Sequence, residues 1–178
     1  KYNNKNNILI TTVSSIIQKL PPRSFLEETS LKIKVKSLYS QKNLIEFFKK
    51  NSYLRSSTVR EPAEYSIRGS LIDVFPPGNN FPIRIDFFGD NIESIRSFDP
   101  VNQLSMENLE IVYFYPSNEI ILNEKSIQTF REKYRKLFGT KLSNDELYNS
   151  ISEGRSYPGM EHYLPLFYDE LNTLFDYL

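Results

Sequence analysis

Apolar and polar positions alternate most regularly over residues 60–99, REPAEYSIRGSLIDVFPPGNNFPIRIDFFGDNIESIRSFD. Side chains along a strand point alternately to opposite faces. Ile83, Ile85 and Phe87 therefore share one face, and Arg84, Asp86 and Phe88 share the other. The first set is a core stripe, whereas the second joins a cation, an anion and a large aromatic ring. Ser66 and Arg68 oppose Tyr65 and Ile67 in the same way. Strands are predicted over 53–60, 64–68, 71–75, 83–88 and 92–98. The breaks between the last four are Gly69, the Pro76-Pro77-Gly78-Asn79-Asn80 cluster and the hairpin chemistry of Gly89-Asp90-Asn91. Asp99-Pro100 ends the series.

Two further elements precede this run. Leu31, Ile33 and Val35 alternate with Lys32, Lys34 and Lys36, which predicts a half-buried strand with a basic outer face. Leu44, Phe47 and Phe48 follow at helical spacing, with Lys49 and Lys50 suited to a helix C-terminus and Asn51 closing it. Residues 29–104 thus form an antiparallel meander with one helix.

The flanks differ. Residues 8–11 form an apolar run expected to be a buried strand. A helix carrying Ile16, Ile17 and Leu20 is expected next, capped by Ser14 or Ser15 and stopped by Pro21-Pro22. Beyond the meander, a strand is expected over 111–115. A helix over 124–138 carries Ile127, Phe130, Tyr134, Leu137 and Phe138 on one side and stops at Gly139. Ser143 and Glu146 resemble a capping box. Residues 153–165 are expected to be irregular, and 166–178 helical, with Phe167, Leu171, Leu174, Phe175 and Leu178 in register. The fold class is α+β or α/β, in which a β-rich module of antiparallel strands plus a helix interrupts a partial α/β domain.

Bulk composition narrows the function classes. With 22 basic and 22 acidic residues among 178, the net charge is zero, so any charged binding surface is local. The absence of cysteine excludes disulfides, thiolate zinc sites and cysteine nucleophiles. It fits a reducing cytoplasm, and no apolar run approaches the roughly 20 residues that cross a bilayer. The terminus KYNNKNNILITT has no initiator methionine and no secretory h-region, and both ends read as cut from something longer.

Chemistry-bearing motifs are few. The chain has no GxxxxGK[ST] and no GxGxxG, so no nucleotide loop is expected. One histidine, His162, leaves no partner for a triad or a histidine metal site and is expected to be structural or solvent-exposed. Asp73, Asp86, Asp90 and Asp99 are read as ion-pair or turn residues in preference to a metal cluster. For the Arg84/Asp86/Phe88 face two readings stand: a surface ion pair with Phe88 tucked beside the turn, or a protein-binding patch. Arginine and aromatic residues favour the second at patch centres.

EPAEYSIRGSLIDVFPPG, PIRIDFFGDNIESIRSFDPVNQLS and EGRSYPGMEHYLPLFYDELNTLFDYL resemble the N-terminal region of the bacterial transcription-repair coupling factors (the Mfd family). The first two also resemble the related domain of the excision nuclease subunit UvrB. The resemblance implies a UvrB-like domain 1 split by an inserted domain 2. Residues 1–28 would close the first half, 29–107 would be domain 2, and 108–178 would open the second half. It implies a non-catalytic adaptor in nucleotide excision repair, with no catalytic residue, no metal and no cofactor in this segment. ATP and magnesium would belong to the motor of the longer protein. It also implies UvrA as the partner of domain 2, through Arg68, Arg84 and Phe88, with Asp86 and Arg96 in support. RNA polymerase and double-stranded DNA would be met by regions outside this chain, and a C-terminal domain would mask the UvrA surface. Ala63, Ser70 and Tyr65 depart mildly from the family pattern. The alternatives are a UvrB-like DNA-repair ATPase or helicase segment, and direct DNA contact through Lys32, Lys34 and Lys36.

Overall fold

A computed structural model describes residues 8–140 and 142–178. Residues 1–7, which open the expected 1–28 segment and most of the KYNNKNNILITT terminus, lie outside the described residues. In chain order the helices and strands are α1 (Val13–Ile17), α2 (Arg23–Thr29), β1 (Leu31–Lys34), α3 (Gln41–Lys50), β2 (Leu54–Arg55), β3 (Glu64–Arg68), β4 (Leu71–Val74) and β5 (Ile83–Phe88). They continue as β6 (Asn91–Phe98), β7 (Ser105–Asn108), β8 (Ile111–Phe114), α4 (Glu124–Phe138), α5 (Glu146–Ser152) and α6 (Leu174–Tyr177), with a 3-10 segment Met160–Leu166 before α6. The content is mixed α+β with antiparallel pairing. The chain divides into two compact units, 24–121 and 1–23 with 122–178.

The 24–121 unit is built on a six-stranded sheet of order β2-β3-β4-β5-β6-β7, antiparallel except for the short β2–β3 pair. Its inner face carries Tyr65, Ile72, Val74, Ile83, Ile85, Phe87, Ile92 and Ile95, all buried. Helix α3 closes over that face with Leu44 and Phe48. The Phe48 ring lies 5.0 Å from Tyr53, 5.3 Å from Tyr65 and 5.4 Å from Phe114. Full burial of each such side chain contributes about 1.5–3 kcal/mol. Ser40 Oγ accepts from the Asn43 amide to cap α3, and Lys49 and Lys50 occupy its last turn, where the helix dipole favours cations. Strand β1 does not join the meander. It pairs with β8 as a separate ribbon, Leu31 opposite Phe114 and Ile33 opposite Val112.

Strict alternation would send Ile92 and Ile95 to opposite faces. A bulge resolves this: Asp86 pairs with Ser94 but Phe87 with Ile92, so Glu93 is left over and both isoleucines face the core. The same shift sets Arg96 directly opposite Arg84 on the outer face.

Several expectations are corrected. Over 53–60 only Leu54–Arg55 is strand. The Ser56 hydroxyl donates to the Thr58 carbonyl, turning the chain so that Val59 packs with Phe75 and Phe98 in a second small core. Strand β7 was not expected, because SMEN is exposed at all four positions and carries no hydrophobic signal; backbone pairing with β6 makes it.

In the other unit, residues 8–11 form no strand, and Ile8, Leu9 and Ile10 are exposed. Thr12, not Ser14 or Ser15, caps the five-residue α1. Pro21-Pro22 is followed at once by α2, since proline is tolerated at a helix start. Helix α4 has the expected bounds and an Asn123–Ser126 capping box, and buries Phe130 and Tyr134, while Leu137 and Phe138 stay exposed. Asp145, not Ser143, caps α5. The 3-10 segment Met160–Leu166 runs through the end of the stretch expected to be irregular, and of 167–178 only Leu174–Tyr177 is helical. Asp176 accepts from the Thr173 amide and hydroxyl, a local cap that starts the helix late, and Phe175 and Leu178 are exposed. Among the described residues no helix is long and apolar enough to cross a membrane.

Candidate functional site

Register across the sheet lines up Ser66, Asp73, Arg84, Arg96 and Asn108 in one row. Second in the row is Asp73, a carboxylate with only 2% of its side chain exposed. Burying such a charge is costly unless it is paired and hydrogen-bonded. Arg84 supplies a fork: Nε donates to Oδ1 at 2.7 Å and Nη2 to Oδ2 at 3.0 Å. Arg68 donates to Oδ2 from the other side. The hydrogen bonds that Arg84 donates to Asp73 hold its guanidinium above its ordinary pKa, against the opposing effect of burial.

The two arginines differ in what they leave free. The Arg84 side chain is 13% exposed. Its Nη1 donates to the Gln103 carbonyl at 3.2 Å, and its guanidinium lies 4.7 Å from the Phe98 ring centre. Gln103 folds the 99–104 loop over this end of the row, donating to the Val59 and Pro100 carbonyls, while the Ser66 hydroxyl donates to Ser57. The outer face is therefore covered at its Asp73–Arg84 end and open at its other end. Arg68 is 52% exposed there, although one nitrogen is held by Asp73.

The open end centres on the β5–β6 hairpin. Phe88 is the last residue of β5 and 76% exposed. Gly89 follows with φ 60°, which the first position of a two-residue type II′ turn requires. The hairpin is braced: the Tyr39 amide donates to the Asp90 carbonyl at 2.8 Å, and Leu38 bridges Asn91, the pairing partner of Phe88. Leu38 is itself exposed. The β3–β4 turn that carries Arg68 is braced as well, by Gln41 donating to the Gly69 carbonyl.

Of the surface ion-pair reading of the strand face, the structure has the ion pair but not the tucked ring. Arg84 is an ion-pair residue, matched to Asp73 on the neighbouring strand. Phe88 is not tucked beside the turn but projects from it. Asp86 accepts from the Ser70 hydroxyl at 3.1 Å and meets Arg96 only at 3.9 Å, so both are looser neighbours. Sequence reasoning missed Leu38 and Gln103. Leu38 stood in a turn with no periodicity to mark it, and Gln103 acts through its backbone carbonyl and through side-chain bonds that exist only once the 99–104 loop is folded.

The remaining candidates are placed as follows. Asp99 accepts from the Val101 and Asn102 amides as a turn residue. His162 is exposed. Among the described residues no group of three metal-ligating side chains converges. Lys32, Lys34 and Lys36 are exposed, with the Lys32 ammonium 5.5 Å over the Tyr113 ring.

This braced antiparallel sheet closed by one helix, with a charged row on its outer face, lies within residues 31–120, which match the UvrB interaction domain family. The match covers half of the chain, which belongs to that family. Over nearly its whole length the chain is also similar to curated proteins named transcription-repair-coupling factor. Identity is 37% over 176 residues with that of Rickettsia typhi, covering 99% of this chain. It is 34% over 174 residues with that of Escherichia coli, covering 97%, and 28% over 191 residues with that of Bacillus subtilis, covering 98%. The chain spans 16%, 15% and 16% of those relatives' own lengths.

Proposed function

We propose that this chain is the recruiting segment of a transcription-repair coupling factor and that the open end of its β3–β6 face binds UvrA. The observation that carries the reading is Phe88. A phenylalanine three-quarters exposed on a braced hairpin gains free energy only when something covers it. Arg68 beside it has donors to spare for a partner carboxylate, in the forked geometry that guanidinium groups favour. Arg84 has its donors directed to Asp73 and Gln103, so its share is to fix Arg68's anchor and to present one guanidinium edge. Leu38, across Asn91, extends the apolar spot. Asp86 and Arg96 form a polar border.

The assembly follows from this division of labour. A rigid sheet loses little conformational freedom when its partner docks, so the cost of ordering falls on few side chains. The longer protein would engage RNA polymerase and double-stranded DNA elsewhere, and its C-terminal domain would cover the Phe88 end until recruitment is needed.

Calorimetric titration against UvrA tests the reading. Phe88→Ala and Arg68→Ala are each expected to weaken binding by about 2 kcal/mol, the usual scale for an interface anchor. Unchanged affinity in the double variant would contradict the assignment. A DNA affinity that falls steeply with salt and disappears when Lys32 and Lys34 are neutralised would favour the ribbon as the contact surface instead.

A further inference from the structure

Arg96 stands on the outer face of β6 with its hydrogen-bonding capacity unused. Its Nε is buried and has no partner. Its one ion-pair contact, Nη2 to Asp86, is 3.9 Å long and beyond hydrogen-bond reach. Asp86 is partly committed elsewhere, accepting from the Ser70 hydroxyl at 3.1 Å. Among the described residues no other carboxylate pairs with Arg96.

This placement costs the free chain stability. A guanidinium brings five N–H donors and keeps its charge at any ordinary pH. A buried donor without an acceptor is unfavourable. Register sets Arg96 directly opposite Arg84, and like charges so placed repel. Asp73 cannot absorb the excess, because its two oxygens already accept from Arg84 and Arg68. Glu64, in step with Ser66 and Arg68 on β3, is turned to the Arg60 and Glu61 amides. Arg68, Arg84 and Arg96 therefore face only Asp73 and Asp86, which leaves one positive charge in excess. The tip of Arg96 is accessible: 35% of its side chain is exposed. Directly opposite it on β7 is Asn108, also exposed, whose side-chain amide adds a neutral donor.

We infer that the docking partner presents an aspartate or glutamate to Arg96, which takes it through its exposed Nη atoms with Asn108 alongside. The inference rests on the reading that this face binds UvrA. It adds the chemistry of one partner group, a carboxylate that meets the same face as the apolar contact at Phe88. Docking neutralises the surplus charge, so a residue that costs stability in the free chain contributes affinity in the complex. The contact is made by side-chain tips, while β6 is already paired with β5 and β7, so affinity reports it and amide exchange does not.

Calorimetric titration of the full chain against UvrA, paired with thermal unfolding of the free chain, tests this. Arg96→Met keeps an apolar stem and removes the charge and the donors. It is expected to weaken binding about tenfold at low salt, a loss that shrinks as salt screens the pair, and to raise the unfolding midpoint. Arg96→Lys, which keeps the charge without the fork, is expected to fall between. Phe88→Ala is the control, since an apolar loss hardly responds to that screening. Unchanged affinity in Arg96→Met beside a weakened Phe88→Ala would overturn the inference and leave the UvrA reading standing. A lowered midpoint in Arg96→Met would overturn it too, by showing that Arg96 supports the fold. No binding by the unaltered chain would remove both readings.

Discussion

At the scale of single residues, Asp73 decides how the outer face behaves. One buried carboxylate recruits two guanidinium groups, and they divide between structure and availability according to how each is covered. Arg84→Ala would leave Asp73 buried with Arg68 alone, and breaking a buried pair costs about 3–5 kcal/mol. Urea denaturation should therefore report a marked loss for Arg84→Ala, and any binding defect of that variant has to be read beside its stability. Phe88→Ala should behave oppositely. Its ring contacts solvent more than protein, so the same measurement should move by no more than about 0.5 kcal/mol, while UvrA binding suffers. A large stability loss for Phe88→Ala would show that the ring supports the hairpin.

At the scale of elements, what could be read from the chain depended on how far each signal reaches. Strands β3, β4, β5 and β6 were legible because alternation and glycine or proline breaks act within a few residues, and α4 because its 3.6-residue period and caps are local too. The β1–β8 pairing was not legible, since the partners lie about eighty residues apart and alternation says nothing of who pairs with whom. The 166–178 segment showed helical spacing, yet local capping at Thr173 won over periodicity. Within the candidate site, alternation put Arg68, Arg84 and Phe88 on the outward side but could not show that the 99–104 loop covers Arg84. The Glu93 bulge makes a prediction here. Its deletion would leave Ile92 and Ile95 two residues apart and both on the core face, so thermal unfolding should show little change; a marked drop in the midpoint would mean that the extra residue relieves strain in the ladder.

Two tyrosines give the elements a pH dependence. Burial holds the Tyr53 phenol far above its ordinary value. Burial, then the hydrogen bond to Asp145, does the same for Tyr134. A folded-state pKa raised above the unfolded one favours folding below the unfolded pKa and loses that contribution as pH rises past it. Stability should hold through neutrality and fall above about pH 10, where the unfolded phenols ionise and the folded ones do not. Tyr53→Phe, which removes one such phenol and its bond to the Tyr115 carbonyl, should flatten the decline. An equally steep decline in the Tyr53→Phe/Tyr134→Phe variant would assign it elsewhere.

At the scale of the whole molecule, the chain joins a sheet unit whose outer face is half covered to a mainly helical unit. Neutral net charge says nothing of the Asp73–Arg84–Arg68 cluster on that face, where opposite charges are paired locally. Exposed Ile8, Leu9, Ile10, Phe88 and Leu38 leave apolar surface on the molecule.

The most direct measurement is hydrogen exchange on the chain with and without UvrA. Slowed exchange confined to 68–71 and 86–92, with the Lys32–Lys34 strand unaffected, is the predicted footprint. Protection at β1 and β8 with none at the Phe88 hairpin would contradict the account.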